Sequence, residues 1–111
     1  MSVEESLTSV VDRFNRHVAR TPATAEELQG IERTIQVRLT DDGSYAVDLK
    51  DGHLQNLRSG RAAKADLTVT TDSATFDGLV KKEIGPMKAI VTRRLSIEGS
   101  LEDKLLFRKL L

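Results

Sequence analysis

Cysteine and tryptophan are both absent from the 111 residues. Without a thiol the chain can form no disulfide scaffold, no thiolate zinc site and no cysteine nucleophile. The absence also fits a reducing compartment. Aromatics are scarce, with three Phe and one Tyr, and there are only two Pro. No sign of charge dominates: seventeen basic residues balance seventeen acidic ones, interspersed without long blocks. A clamp for a polyphosphate backbone shows a basic excess or stripe, so no nucleic-acid partner is expected. No apolar run exceeds three residues, as in Ala89-Ile90-Val91, whereas a membrane helix needs about 20. The opening Met1-Ser2-Val3-Glu4-Glu5 is acidic and lacks an apolar signal region. The closing Arg108-Lys109-Leu110-Leu111 differs from the Ser-Lys-Leu peroxisomal address. A cytoplasmic location is expected.

What is present suffices for a core. Leu, Val, Ile and Phe together number 31, about 28% of the chain, above the roughly 20% below which chains stay disordered. The length suits one domain over residues 1–111 and is too short for two independent cores.

Residues 3–19 carry Val3, Leu7, Val10, Val11, Phe14 and Val18 at the i, i+3, i+4, i+7 rhythm of an amphipathic helix. Ser2 and Glu5 match a capping box at its start. Thr21-Pro22 stops this helix. A shorter one is expected to start at Thr24, with Glu27 completing a second capping box, Leu28 and Ile31 inward, and Gly30 limiting its length.

The period then changes from 3.6 to 2. Ile35, Val37 and Leu39 alternate with polar residues, and Tyr45, Val47 and Leu49 repeat the pattern. A three-residue loop at Asp41-Asp42-Gly43 pairs Leu39 with Tyr45, Val37 with Val47 and Ile35 with Leu49. A two-residue loop puts the two apolar sets on opposite faces. Asp51-Gly52 signals a type I′ turn that places Leu54 opposite Leu49 on a third strand, reaching about Arg58. Ser59 to Lys64 reads as a loop. Ala65 to Thr71 alternates again, with Leu67 and Val69 inward.

A helix is expected from Asp72 or Ser73 to about Glu83, with Phe76, Leu79 and Val80 on one side. Gly85-Pro86 breaks it, and Pro86 suits the first position of another helix to about Arg93. Met87, Ile90 and Val91 form its narrow stripe. Arg94 to Glu98 is a fifth strand, with Leu95 and Ile97 inward. Ser100 caps a last helix, with Asp103 early and Lys/Arg late, as the helix dipole favours. The fold class is α+β. The wet face of an antiparallel meander gathers the helices on the other side.

From about residue 33 onward the wording resembles a known family. The matching pieces are Ile35–Leu39, Tyr45-Ala46-Val47-Asp48-Leu49-Lys50-Asp51-Gly52, Ala65-Asp66-Leu67-Thr68-Val69-Thr70, Phe76, Met87-Lys88-Ala89-Ile90 and Leu95-Ser96-Ile97-Glu98-Gly99-Ser100. In this order they are similar to the sterol carrier protein type-2 domain, over about two thirds of the chain; the first two helices fit by position only. The resemblance implies a five-stranded mixed, mainly antiparallel sheet with helices on one face, enclosing an apolar tunnel. It also implies a lipid-like ligand such as a sterol, fatty acid, acyl-CoA or phospholipid, carried or presented without catalysis and without a cofactor. One departure is Lys81-Lys82-Glu83-Ile84-Gly85-Pro86, where many members have a Gly-Lys-rich turn at the tunnel mouth.

Some residues fit a cavity on their own terms. Leu101, Leu105, Leu106, Phe107, Leu110 and Leu111 reach several sides of the last helix, which must then be covered on several sides. A bound lipid, ordinary core or a dimer interface each supplies that cover. Met87 is an adaptable side chain suited to loosely selective sites. The expected lining is Val47, Val69, Phe76, Leu79, Ile84, Met87, Ile90, Leu101, Leu105 and Leu106.

Nothing in the sequence points to chemistry. His17 and His53 have no metal spacing around them. Asp41-Asp42-Gly43 and Asp51-Gly52 lack the alternating oxygens and closing Glu of a calcium loop. No serine sits in a G-x-S-x-G frame. Lys81, Lys82, Lys88, Arg93 and Arg94 form a basic cluster, read either as a solvated face or as a rim for lipid head groups. Transient membrane contact, a homodimer and a role as accessory subunit of a lipid- or quinone-metabolising enzyme remain open alternatives.

Overall fold

A computed structural model describes residues 3–110. The element order is α1 (Val3–Arg20), α2 (Pro22–Leu28), β1 (Arg33–Leu39), β2 (Gly43–Lys50), β3 (His53–Ser59), β4 (Leu67–Thr71), α3 (Ser73–Val80), α4 (Pro86–Val91), β5 (Leu95–Gly99) and α5 (Leu101–Leu110). The strands form one mixed sheet in the order β3-β2-β1-β4-β5. Only the central pair β1–β4 is parallel; the other pairs are antiparallel. The odd positions Ile35, Val37, Leu39, Val47, Leu49, Leu67 and Val69 are buried on the inner face, as period-2 alternation requires. Leu7, Phe14 and Val18 of α1 join the same core.

The first hairpin departs from the sequence reading by two residues. Leu39 pairs with Gly43, Val37 with Tyr45 and Ile35 with Val47. A slip of two keeps each inward side chain inward, so apolar alternation cannot choose between the two registers. Contacts distant in sequence accompany the observed one. The Thr40 N–H donates to the Thr71 carbonyl at 2.9 Å, and the Asp41 carboxylate accepts from the Ser73 N–H and hydroxyl at 3.0 and 2.8 Å. The turn is thereby tied to β4 and α3, with Gly43 at φ +95°. The second hairpin follows the reading. Asp51 and Gly52 both have positive φ, 54° and 76°, as a type I′ turn demands, and Leu49 faces Leu54.

Alternation puts Gln36, between the inward Ile35 and Val37, on the wet face, yet it is only 4% exposed. The segment from Gly60 to Ala62 crosses that face on its way from β3 to β4. The Gln36 amide donates to the Tyr45 and Gly60 carbonyls (2.9 and 3.1 Å) and accepts from the Ala62 N–H (2.6 Å). A buried amide with its hydrogen bonds met is stable; one left unmet costs roughly 1–3 kcal/mol.

α2 begins at Pro22 and not at Thr24, with Thr21 as its N-cap residue but no side-chain cap bond. Proline's φ is already helical and its missing N–H needs no partner in the first turn, so Pro22 opens the helix and also ends α1. α1 is fastened to the edge strand by Asn15. Its side chain donates to the Leu54 carbonyl at 2.9 Å and accepts from the Leu54 N–H at 2.8 Å. This pairs backbone groups that an edge strand otherwise leaves open.

α3 is capped by Asp72, whose carboxylate accepts from the Thr75 N–H (2.7 Å) and hydroxyl (2.8 Å). Hydrogen bonds from Thr75 hold the Asp72 carboxyl below its ordinary value of 3.8, and those from Ser73 do the same for Asp41. A depressed folded pKa contributes stability that is complete above the unfolded value and is lost as pH falls through the folded one. Thermal melts are therefore expected to fall with pH below about 4. Asp72→Asn keeps a capping side chain but has nothing to titrate, so its acid slope is shallower; an unchanged slope contradicts the assignment.

At the far end the Ser100 hydroxyl accepts from the Asp103 N–H (3.0 Å) and caps α5. The Asp103 carboxylate turns inward to the Arg33 guanidinium at 2.7 Å, which raises the Arg33 pKa above its ordinary value. Asp103 therefore docks α5 onto the start of β1 as well as meeting the helix dipole. The Ser2 end of the first capping box and Leu111 lie outside the described residues, as do the side chains of Val3 and of positions 107–110.

Candidate functional site

Between α1, α3 and the inner face of the sheet lies a cavity of about 410 Å³. Its floor is Ile35 and Val37 of β1, Val47 of β2, Leu54 of β3, Val69 of β4 and Leu95 of β5. All six are buried. Three are valine, whose short side chain leaves height above the sheet where leucine or phenylalanine would fill it. The roof comes from Leu7, Val10, Val11 and Phe14 of α1 with Phe76, Leu79 and Val80 of α3. α1 contacts both β3 and α3, so it bridges the cavity between two supports.

Four charged or titratable side chains complete the lining, and none is acidic: Arg13, His17, Arg20 and Lys82. All four residues are exposed while the floor is buried, which places them where the cavity meets solvent. The Arg13 guanidinium donates to the Val80 carbonyl at 3.3 Å, across the seam between α1 and α3. Lys82 sits in the turn after α3 with φ +62°, its N–H donating to the Leu79 carbonyl.

Of the ten residues expected to line a tunnel, Val47, Val69, Phe76 and Leu79 are brought together here. The others lie elsewhere. Ile84 folds back over Gly78, where a Cβ would come within 2.6 Å of its Cδ1. That contact closes the turn after α3 and keeps Ile84 off the cavity wall. Met87, Ile90, Leu101 and Leu105 are exposed, and Leu106 packs partly against the core. The helices α4 and α5 contact β5, an edge strand, and none of their described residues lines this cavity. The helix that sequence reasoning left out of the lining is α1. A signal for it existed: Val10, Arg13, His17 and Arg20 follow i, i+3, i+7, i+10, one row beside the apolar stripe.

The basic cluster proposed from the sequence is split. Lys82 lines the cavity, Lys81 pairs with Asp77 at 2.9 Å, and the Arg94 guanidinium donates to the Thr75 hydroxyl at 3.2 Å. The His53 ring lies 2.9 Å from the Asp51 carbonyl in the second turn. Among the described residues no group of three His, Cys, Asp or Glu side chains is placed to hold a metal. No described helix is long and apolar enough to cross a membrane.

Comparison with known proteins agrees with the architecture. The model of the SCP-2 sterol transfer family matches residues 12–111. No curated protein sequence matches. Among solved structures, palmitated SCP2L2 from Aedes aegypti superposes with a TM-score of 0.71 at 23% identity, covering 98% of this chain and 95% of that one. The ubiquinone synthesis protein UbiJ-SCP2 gives 0.64 at 17% identity, covering 93% and 90%. The sec-alkylsulfatase Pisa1 from Pseudomonas sp. gives 0.64 at 25% identity over 78% of this chain, which spans only 14% of that enzyme.

Proposed function

The chain belongs to the SCP-2 sterol transfer family, and from that premise we propose that it binds one lipid-like molecule between α1, α3 and the sheet. It acts as a carrier or lipid-presenting module, and catalysis, where present, resides in a partner. The observation that supports this most directly is the 410 Å³ cavity, floored by buried aliphatic side chains. Its size lies within the roughly 300–1,000 Å³ of ordinary ligand sites. Burying about 300 Å² of apolar ligand surface contributes about 7.5 kcal/mol, an upper bound equivalent to about 3 μM that the cost of immobilising the ligand weakens.

A second reading, an accessory subunit of a lipid- or quinone-metabolising enzyme, draws on the apolar side chains that α4 and α5 leave in solvent. Met87 is 64% and Leu101 75% exposed. This reading keeps the cavity and adds a docking partner to it. A cytoplasmic location and a single functional unit over the whole chain are part of the same proposal.

Native mass spectrometry of freshly purified protein, followed by organic extraction, tests the carrier reading. A monomer carrying one extractable lipid is the expected result. Protein that purifies empty and takes up no added fatty acid or sterol overturns it.

A further inference from the structure

The two edges of the sheet are built differently. β3, the edge that α1 contacts, is protected in three ways. The Asn15 side chain occupies both backbone groups of Leu54. The Arg58 guanidinium donates to the Asn56 carbonyl at 2.8 Å, and the register with β2 shifts between Ala46 and Asp48. Such devices keep an edge strand from pairing with another chain. β5, the other edge, has none of them. Its register with β4 runs unbroken from Leu95 to Gly99, and it contains no Pro, Lys or Arg. Alternate residues of an antiparallel edge strand direct both backbone groups away from the sheet. Among the described residues no side chain or loop bonds to those groups of β5. α5 leaves from the end of β5, and the Asp103–Arg33 pair draws it back toward β1, two strands into the sheet.

We propose that the outer edge of β5 pairs with the same edge of a second copy of this chain, antiparallel about a two-fold axis, to give one continuous sheet with five strands from each copy.

The placement of charge and apolar groups favours this partner. A register centred on Ser96 sets Glu98 of each copy opposite Arg94 of the other, and Leu95 opposite Ile97. Unlike charges then meet at both ends, with inward apolar residues between them. A slip of two, centred on Ile97, pairs Glu98 with Ser96 and Leu95 with Gly99 and loses both gains. A parallel pair in register sets like against like. Arg94 and Glu98 are both exposed, and neither has an ion-pair partner among the described residues of its own chain. The Arg94 Nε donates to the Thr75 hydroxyl, which holds the guanidinium near the start of the strand. Beyond the strand, Ile90 of α4 and Leu101 of α5 are exposed at its two ends, and the two-fold axis brings the α5 end of each copy to the α4 end of the other. Opposite residues of a strand pair point to the same face, so both cavities lie on one side of the joint sheet. Five paired residues with this border bury less than the about 800 Å² per partner of a standard interface. The dimer therefore forms with rising concentration, and dilute solutions hold the monomer.

Sedimentation equilibrium of the full chain tests this. The mass is expected to rise from the monomer's 12.3 kDa at about 5 μM toward twice that value at about 500 μM. Hydrogen exchange at the higher concentration should slow alternate backbone N–H groups of residues 95–99 about fivefold or more. Glu98→Arg and Arg94→Glu each set like charges together at both ends, and each alone should weaken self-association about tenfold or more. Mixed in equal amounts, the two variants regain both ion pairs, so the mixture should associate about as the parent does. A mass that stays at 12.3 kDa throughout overturns the proposal. So does association without slowed exchange in β5, which puts the contact elsewhere, or a mixture of folded variants that associates no better than either alone. The exchange measurement uses the parent chain and stands whether or not a variant folds.

Discussion

Replacing Val69 with Phe is expected to weaken lipid uptake about a hundredfold and to leave the melting temperature unchanged or higher. Val69 stands in β4 beside the central strand, 3% exposed, with its side chain in the cavity floor. A phenyl ring there projects into the space a ligand chain occupies. Excluding about 110 Å² of apolar ligand surface forfeits about 2.7 kcal/mol, which is a factor of about a hundred. The same ring fills empty volume, and filling a cavity commonly adds roughly 0.5–2 kcal/mol. Loss of binding with gain of stability separates this outcome from general damage. Val91→Phe, on the exposed face of α4, serves as the control and should change neither property. Uptake by Val69→Phe equal to that of the parent means the ligand sits elsewhere.

Truncating leucine should cost very different amounts at two positions. Leu49 in β2 is wholly buried and is not part of the cavity wall. Leu49→Ala leaves a closed void among fixed neighbours, at a cost of about 3–4 kcal/mol. Against a domain stability of about 5–15 kcal/mol this is a severe loss. Leu79 in α3 is half-buried and faces space that is already open. Leu79→Ala removes the same atoms, but few neighbours lose contact, and about 1–1.5 kcal/mol is expected. Denaturant unfolding measures both. Equal costs indicate that α3 packs tightly on the sheet and that the space between them is closed in solution.

Much of the architecture was legible because it is written in local chemistry. The apolar rhythm of α1, the change to period 2 at β1, the Asp51-Gly52 turn, Pro86 at the start of α4 and the Ser100 cap each act over a few residues. What escaped depended on partners far along the chain. Gln36 looks like a solvent residue until the crossover segment arrives 24 residues later to bury it. The register of the first hairpin is tied to Ser73, 32 residues beyond Asp41. Asp103 looks like a dipole-matching acid until it meets Arg33 across 70 positions.

The candidate site divides the same way. Val47, Val69, Phe76 and Leu79 could be named from their faces alone, because strand alternation and helical spacing decide which way a side chain points. The α1 half of the wall carried a row of its own in Val10, Arg13, His17 and Arg20, but nothing in the sequence set that row over the sheet. Face assignment says that a residue turns inward but not what lies opposite, and an empty volume has no residues of its own to leave a pattern. The amino-acid order by itself determined the elements, their buried faces and the family resemblance, all products of short-range sterics and apolar periodicity. Only the tertiary structure decided that α1 would span from Asn15 at β3 to α3 over the cavity, because the space between layers depends on where their supports meet.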